Sequence, residues 1–130
     1  MANLVSVEIV AVDREVWSGD VEMVLARTTD GEIGILAGHV PLLGALAEGG
    51  IVRLMEEGGA ETKVAVHGGF LSVTNEGVQI LAELAELESE IDVARAQRQL
   101  DEAQGDQDSD EGQARVLRAT ARLRAAGQAV

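Results

Sequence analysis

Apolar positions along this chain change their period once. Up to about residue 83, runs rich in valine and isoleucine are short and punctuated by glycine. VSVEIVAV (5–12) alternates over part of its length. VEMVLART (21–28), GIVRLM (50–55), TKVAVHG (62–68), FLSVT (70–74) and VQILAE (78–83) follow at short spacing. Such runs, bounded by turn signals, predict the strands of an antiparallel β-sandwich or barrel. Asp30-Gly31, Gly49-Gly50, Gly58-Gly59 and Asn75-Glu76-Gly77 mark the turns, glycine supplying the positive φ that tight hairpins need.

From Ser89 the period is helical. Val93, Ala96, Leu100 and Ala103 recur at helical spacing on one face. Ser89 or Asp92 can offer an oxygen to the free N–H groups at the start. GDQDSDEG (105–112) interrupts the pattern, with glycine at both ends and acids between. In the second helix Val116, Ala119 and Leu123 form an apolar stripe, and Arg115, Arg118 and Arg122 a neighbouring basic one. Burying a leucine contributes roughly 1.5–3 kcal/mol and alanine much less. An antiparallel helical hairpin built on such stripes is marginal by itself and able to dock or detach. The expected organisation is a β-sandwich docking domain at 1–88, then a C-terminal two-helix hairpin at 89–130 with a flexible linker at 105–112.

Charge narrows the function classes. The net charge of -13 disfavours nucleic acid and anionic lipid surfaces. Residues 1–88 carry fifteen acids and four bases, 99–111 six acids and no base, and 112–130 four arginines and no acid. The last segment therefore needs an acidic partner, within the chain or outside it. With no cysteine, disulfides, cysteine-based zinc sites and thiol nucleophiles are excluded. No apolar run approaches the ~18 residues of a membrane span. The start MANLVSVEIV lacks a secretory pattern, so a cytoplasmic protein without direct membrane insertion is expected.

Catalytic chemistry finds little support. His39 lies in a glycine-proline turn and His67 at the expected end of a strand, before Gly68-Gly69. Neither has acids or serines at triad spacing, and no metal-ligand spacing is present. Both read as turn or edge residues, with no catalytic residue, no metal and no required cofactor expected. GEIGILAGHVPLL (31–43) holds three glycines, His39 and the only proline, Pro41. It matches no phosphate-binding glycine pattern, and HGGF (67–70) reads as a sharp connection between strands. An acidic interaction or regulatory protein is the outcome. The alternative is a free-standing small-ligand-binding β-module with the helices as a lid.

Three motifs in order carry a resemblance: GEIGILAGHVPLL (31–43), HGGFLSV (67–73) and IDVARA (91–96), preceded by VEIVAVDREVWSGDVEMV with an expected turn at Trp17-Ser18-Gly19. From about Val5 to Arg124 the chain resembles the epsilon subunit of bacterial F-type ATP synthases. That resemblance implies a non-catalytic rotor subunit of the central stalk, peripheral on the cytoplasmic face of the cell membrane, in a proton-translocating complex. Its partners would be the gamma subunit and the c ring, with the alpha and beta subunits reached when the helices extend to inhibit hydrolysis. It also implies that one loop faces the ring and gamma, with Glu32 and His39 as contacts. Gly31, Gly34 and Gly38 would shape that loop, and Pro41 and Leu42 would fix and bury its exit. The family usually has proline where this chain has Ala37, which frees one φ angle at roughly 0.4–1 kcal/mol of chain entropy.

Some members of the family bind regulatory ATP on the folded hairpin through a motif like Ile-Asp-x-x-Arg-Ala. Ile91, Asp92, Arg95 and Ala96 match it, with Glu86 five residues before Ile91. Arg115, Arg118 and Arg122 are the candidates for holding phosphate. Folded, the arginines of the second helix, Arg124 included, would face the acids of 99–111. Extended, they would meet acidic loops of the catalytic subunits.

Overall fold

The computed structural model describes residues 3–128. Eight strands precede two helices: β1 Val5–Ala11, β2 Glu15–Val21, β3 Met23–Thr28, β4 Gly31–Ile35, β5 Leu42–Ala45, β6 Gly50–Met55, β7 Glu61–Thr74, β8 Gly77–Leu87, α1 Val93–Gln104 and α2 Asp110–Ala125. The strand order is β2-β1-β8-β7-β6-β3-β4, with β5 on β7. Every pairing is antiparallel except the parallel β1–β8.

The sandwich is one sheet folded over at β7 and β8. Residues 61–66 of β7 pair with β6, and residues 70–73 pair with β5. Leu84–Leu87 of β8 stay beside the first part of β7, while Val78–Ala82 lie between the second part and β1. The crossing falls at Gly68-Gly69, with φ of 73° and 121°. A Cβ at Gly69 would stand 2.0 Å from the carbonyl oxygen of Leu81, so only glycine permits β8 to pass so close. HGGF is therefore not a connection between two strands but the bend within one. Period-2 alternation turns Ile9, Ile35, Leu54, Leu71 and Ile80 inward, all fully buried in an aliphatic core.

Several local expectations are corrected. Trp17-Ser18-Gly19 is no turn; it lies inside β2, where Trp17 and Gly19 share a face and the indole covers Gly19. GEIGI and LLGA are strands β4 and β5. Residues 88–90 form one 3-10 turn, and α1 starts at Val93 with Asp92, not Ser89, accepting from the Arg95 N–H at 3.0 Å. The break between the helices is shorter than 105–112. Ser109 caps α2 through the Gly112 N–H at 2.9 Å, so residues 110–112 are already helical.

Ala96 and Leu100 of α1 pack against Ala119 and Leu123 of α2, flanked by Val93 and Val116. A second face of α2 meets the sandwich. Ala121 and Ala125, at i and i+4, are buried, and α2 contacts β7 and β6. Beneath it Ala65 and His67 on the outer side of β7 are 0% and 2% exposed. His67 is thus a buried strand residue, not an edge residue.

Candidate functional site

Two regions collect the residues singled out in the sequence. The first is the end of the sandwich built by residues 36–41. Leu36 O accepts from the His39 N–H at 3.1 Å, closing a turn with Gly38 at φ 82°. That geometry places Ala37 where proline suits such turns. The His39 ring bonds locally, Nδ1 to Val40 O at 2.8 Å. Leu36, Ala37, Gly38 and His39 border a cleft of about 290 Å³ with Leu4, Asp20 and the β7–β8 turn.

The single loop expected over 31–43 does not exist as one unit. Gly31, Glu32 and Gly34 belong to β4, with Glu32 opposite Arg27 on β3. Glu32 instead shares a shallow cavity with Arg27, Arg53, Leu117 and Arg124. A strand rises about 3.3 Å per residue, so β4 separates Glu32 from His39. Pro41 is exposed and only Leu42 reaches the core. This end also exposes apolar side chains that no sequence motif marked: Leu36 and Val40 in the turn are 58% and 71% exposed, and Leu43 on the adjoining β5 is 71% exposed.

The second region is the seam between hairpin and sandwich. Glu86, Asp92, Arg95, Ala96 and Arg122 line a cleft of about 370 Å³, with Asp13, Arg14 and Gln99. Arg115, Arg118 and Arg122 line an adjoining one of about 320 Å³ with Gln99 and Glu102. Ile91 is half-buried beside the Asp92 cap and borders neither cleft.

The expected pairing of the α2 arginines with the acids of 99–111 holds for only part of them. Arg115 meets Asp106 and Arg118 meets Glu111, but Arg118 also reaches Glu48 at 3.0 Å. Arg122 Nε donates to Glu86 Oε1 at 2.5 Å and its Nη1 to Gln99. Two of the three therefore clamp α2 to the sandwich. A third tie fixes the chain between the two parts: Arg14 donates to both carboxylate oxygens of Glu90 at 2.8 Å. This bidentate geometry is the strong form of the contact, and it holds the Glu90 carboxyl below its ordinary range.

His67, 3.6 Å from Glu86 Oε1, and Arg122 together hold the Glu86 carboxyl at about 2 against half-burial, which pushes the other way. Its folded value lies below the unfolded one. The stabilisation is therefore complete above about pH 4.5 and lost as pH falls toward 2. Amide protection along α2 is expected to fall across that window, and Glu86→Gln is expected to flatten the fall.

Similarity to known proteins agrees with this layout. The family described as ATP synthase, Delta/Epsilon chain, beta-sandwich domain matches residues 4–88. The ATP synthase epsilon chain of Mycobacterium sp. strain KMS is 53% identical over 128 residues, 98% of each chain. The chain belongs to the ATP synthase epsilon family. The epsilon chain of a Mycobacterium tuberculosis strain is 52% identical over the same length. A chain of the Euglena gracilis mitochondrial ATP synthase, solved as its OSCP/F1/c-ring, superposes with a TM-score of 0.80 at 29% identity, covering 98% of this chain and 83% of that one. A Tetrahymena thermophila central-stalk chain shares the fold, with a TM-score of 0.54 at 16% identity over 66% and 68% of the two chains. As an epsilon chain it is a non-catalytic subunit of F-type ATP synthase, in the central stalk. Membership in this family sets aside the free-standing ligand-binding module.

Proposed function

We propose that the sandwich couples the gamma subunit to the c ring on the cytoplasmic face of the bacterial membrane, and that the hairpin regulates ATP hydrolysis. Docked, the hairpin permits turnover; extended along gamma, it places Arg115, Arg118, Arg122 and Arg124 against the alpha and beta subunits and blocks it. The observation that carries this reading is the seam. Arg118 and Arg122 hold α2 through carboxylates of the sandwich, and small alanines fill the contact between. Partly exposed ion pairs contribute little each, so such a seam can open without disturbing the core. The turn at 36–41, with exposed Leu36 and Val40, supports a contact with the ring; Glu32, at the other end of β4, belongs to a separate surface. Removing the chain after Glu90 is expected to raise ATP hydrolysis by the reconstituted complex several-fold. Unchanged hydrolysis would overturn the regulatory role.

We propose that regulatory ATP, where it binds, would occupy the two adjoining clefts, which share Arg122 and Gln99. Arg95 makes no ion pair among the described residues, so its guanidinium is available to phosphate. Arg122 would have to leave Glu86. Millimolar ATP is expected to slow deuterium exchange of the α1 and α2 amides, and Arg95→Ala to abolish the effect. No protection at that concentration would sink the idea.

A further inference from the structure

The chain between sandwich and hairpin is tied unevenly. Arg14 closes the turn between β1 and β2, where its carbonyl accepts the Ala11 N–H at 2.8 Å. From there Nη1 and Nη2 donate to the two carboxylate oxygens of Glu90 at 2.8 Å, and Nη2 also reaches Ala85 O at 3.3 Å. Glu90 Oε1 takes the Leu87 N–H as well, at 3.0 Å. Glu88 accepts the Lys63 N–H of β7 at 3.4 Å, and Leu87 packs against the sandwich core. Residues 87–90 are thus fastened to the sandwich from two sides. Asp92 belongs to the helix instead. Its side chain accepts the Arg95 N–H at 3.0 Å and its carbonyl the Ala96 N–H at 2.9 Å. Ile91 lies between. Among the described residues its one hydrogen bond runs from its own N–H to Glu88 O at 3.4 Å.

We propose that the hairpin swings about a single pivot at the Ile91–Asp92 junction, while Arg14 keeps Glu88–Glu90 strapped to the sandwich. Ile91 has φ -78° and ψ 124°, and Asp92 has φ -83° and ψ 101°. Both lie in the broad extended region, where wide rotation is sterically free. Turning ψ of Ile91 and φ of Asp92 breaks none of the bonds above. Turning the backbone within 88–90 pulls on a bond to Glu88 or Glu90. α1 and α2 move as one body, because Ala96 and Leu100 stay packed on Ala119 and Leu123. The cleft beside the seam divides at the same junction: Arg14, Glu86 and Glu90 line its sandwich wall, and Asp92, Arg95 and Arg122 its hairpin wall. Hinges confine a large φ/ψ change to a few residues at the end of an element. Arg14 is here a positioning residue that sets where this hinge lies.

The inference rests on the hairpin being the element that moves, and its test uses the full chain by itself. The Leu87 N–H reports the strap directly, since Glu90 accepts it. In deuterium exchange corrected for intrinsic rates, it is expected to be protected about tenfold or more beyond the α1 and α2 amides, which open with the seam. Gly49→Ala, which pushes on α2, is expected to lower protection in α1 and α2 and leave Leu87 unchanged. Arg14→Gln is expected to do the reverse, lowering Leu87 by about two- to fivefold and sparing the helices. Arg14→Lys keeps the charge without the fork and is expected to restore Leu87 only in part. Should Gly49→Ala misfold, the comparison within the unaltered chain decides. Equal protection of Leu87 and α1, a joint loss in Gly49→Ala, or an unmoved Leu87 in Arg14→Gln would each overturn the strapped pivot. Unchanged hydrolysis after truncation would overturn the regulatory reading alone.

Discussion

Gly69→Ala is expected to destroy the sandwich rather than weaken it. The added Cβ would stand 2.0 Å from the Leu81 carbonyl oxygen and 2.8 Å from the Ala82 Cα. Both are backbone atoms of β8 and cannot swing aside. The residue must also hold φ at 121°, a conformation that alone costs about 1–3 kcal/mol outside glycine. β8 is held on its far side by β1, so it cannot retreat without breaking the core. A loss on the order of 4 kcal/mol or more, and a fall in Tm of roughly 15 °C or more, is expected from thermal unfolding followed by circular dichroism. A variant melting within a few degrees of the parent would mean that the bend in β7 is not needed.

Gly49→Ala is expected to act on the hairpin and spare the sandwich. Gly49 has φ of 70°, and a Cβ there would lie 2.5 Å from the Leu117 carbonyl oxygen. Here the obstructing backbone is α2, which can move away. Lifting it also separates Arg118 from Glu48 and Arg122 from Glu86. Strain of about 2 kcal/mol corresponds to roughly a 30-fold loss of protection across α2, read by deuterium exchange. Protection in β7 and β8 is expected to persist. If hydrolysis is blocked by the released state, as proposed, this variant in the reconstituted complex is expected to hydrolyse ATP more slowly than the parent.

How much of this could be read from residues differs by element. The α1–α2 contact was legible because Val93, Ala96, Leu100 and Val116, Ala119, Leu123 keep the helical period, and the structure packs these faces together. The second buried face of α2 was not, since Ala121 and Ala125 give no hydropathic signal against an arginine-rich background. β4 and β5 were missed because glycine interrupts them and they have only five and four residues. His67 read as an edge residue because Gly68-Gly69 suggested a connection; only the continuous pairing of β7 with β8 shows that the strand runs on. The Glu48–Arg118 and Glu86–Arg122 pairs join residues 70 and 36 positions apart. No local spacing announces such pairs. The motif residues Glu86, Asp92, Arg95, Ala96 and Arg122 do converge on one cleft, whereas Glu32 and His39 were separated by the strand that carries the first of them.

The most direct test of the central claim is to mix the chain with the gamma subunit of its own organism and separate the products by size-exclusion chromatography. Coupling gamma to the ring requires a stable one-to-one complex at micromolar concentration, and that complex should survive removal of residues 91–130. Elution of the chain by itself at that concentration would contradict the account.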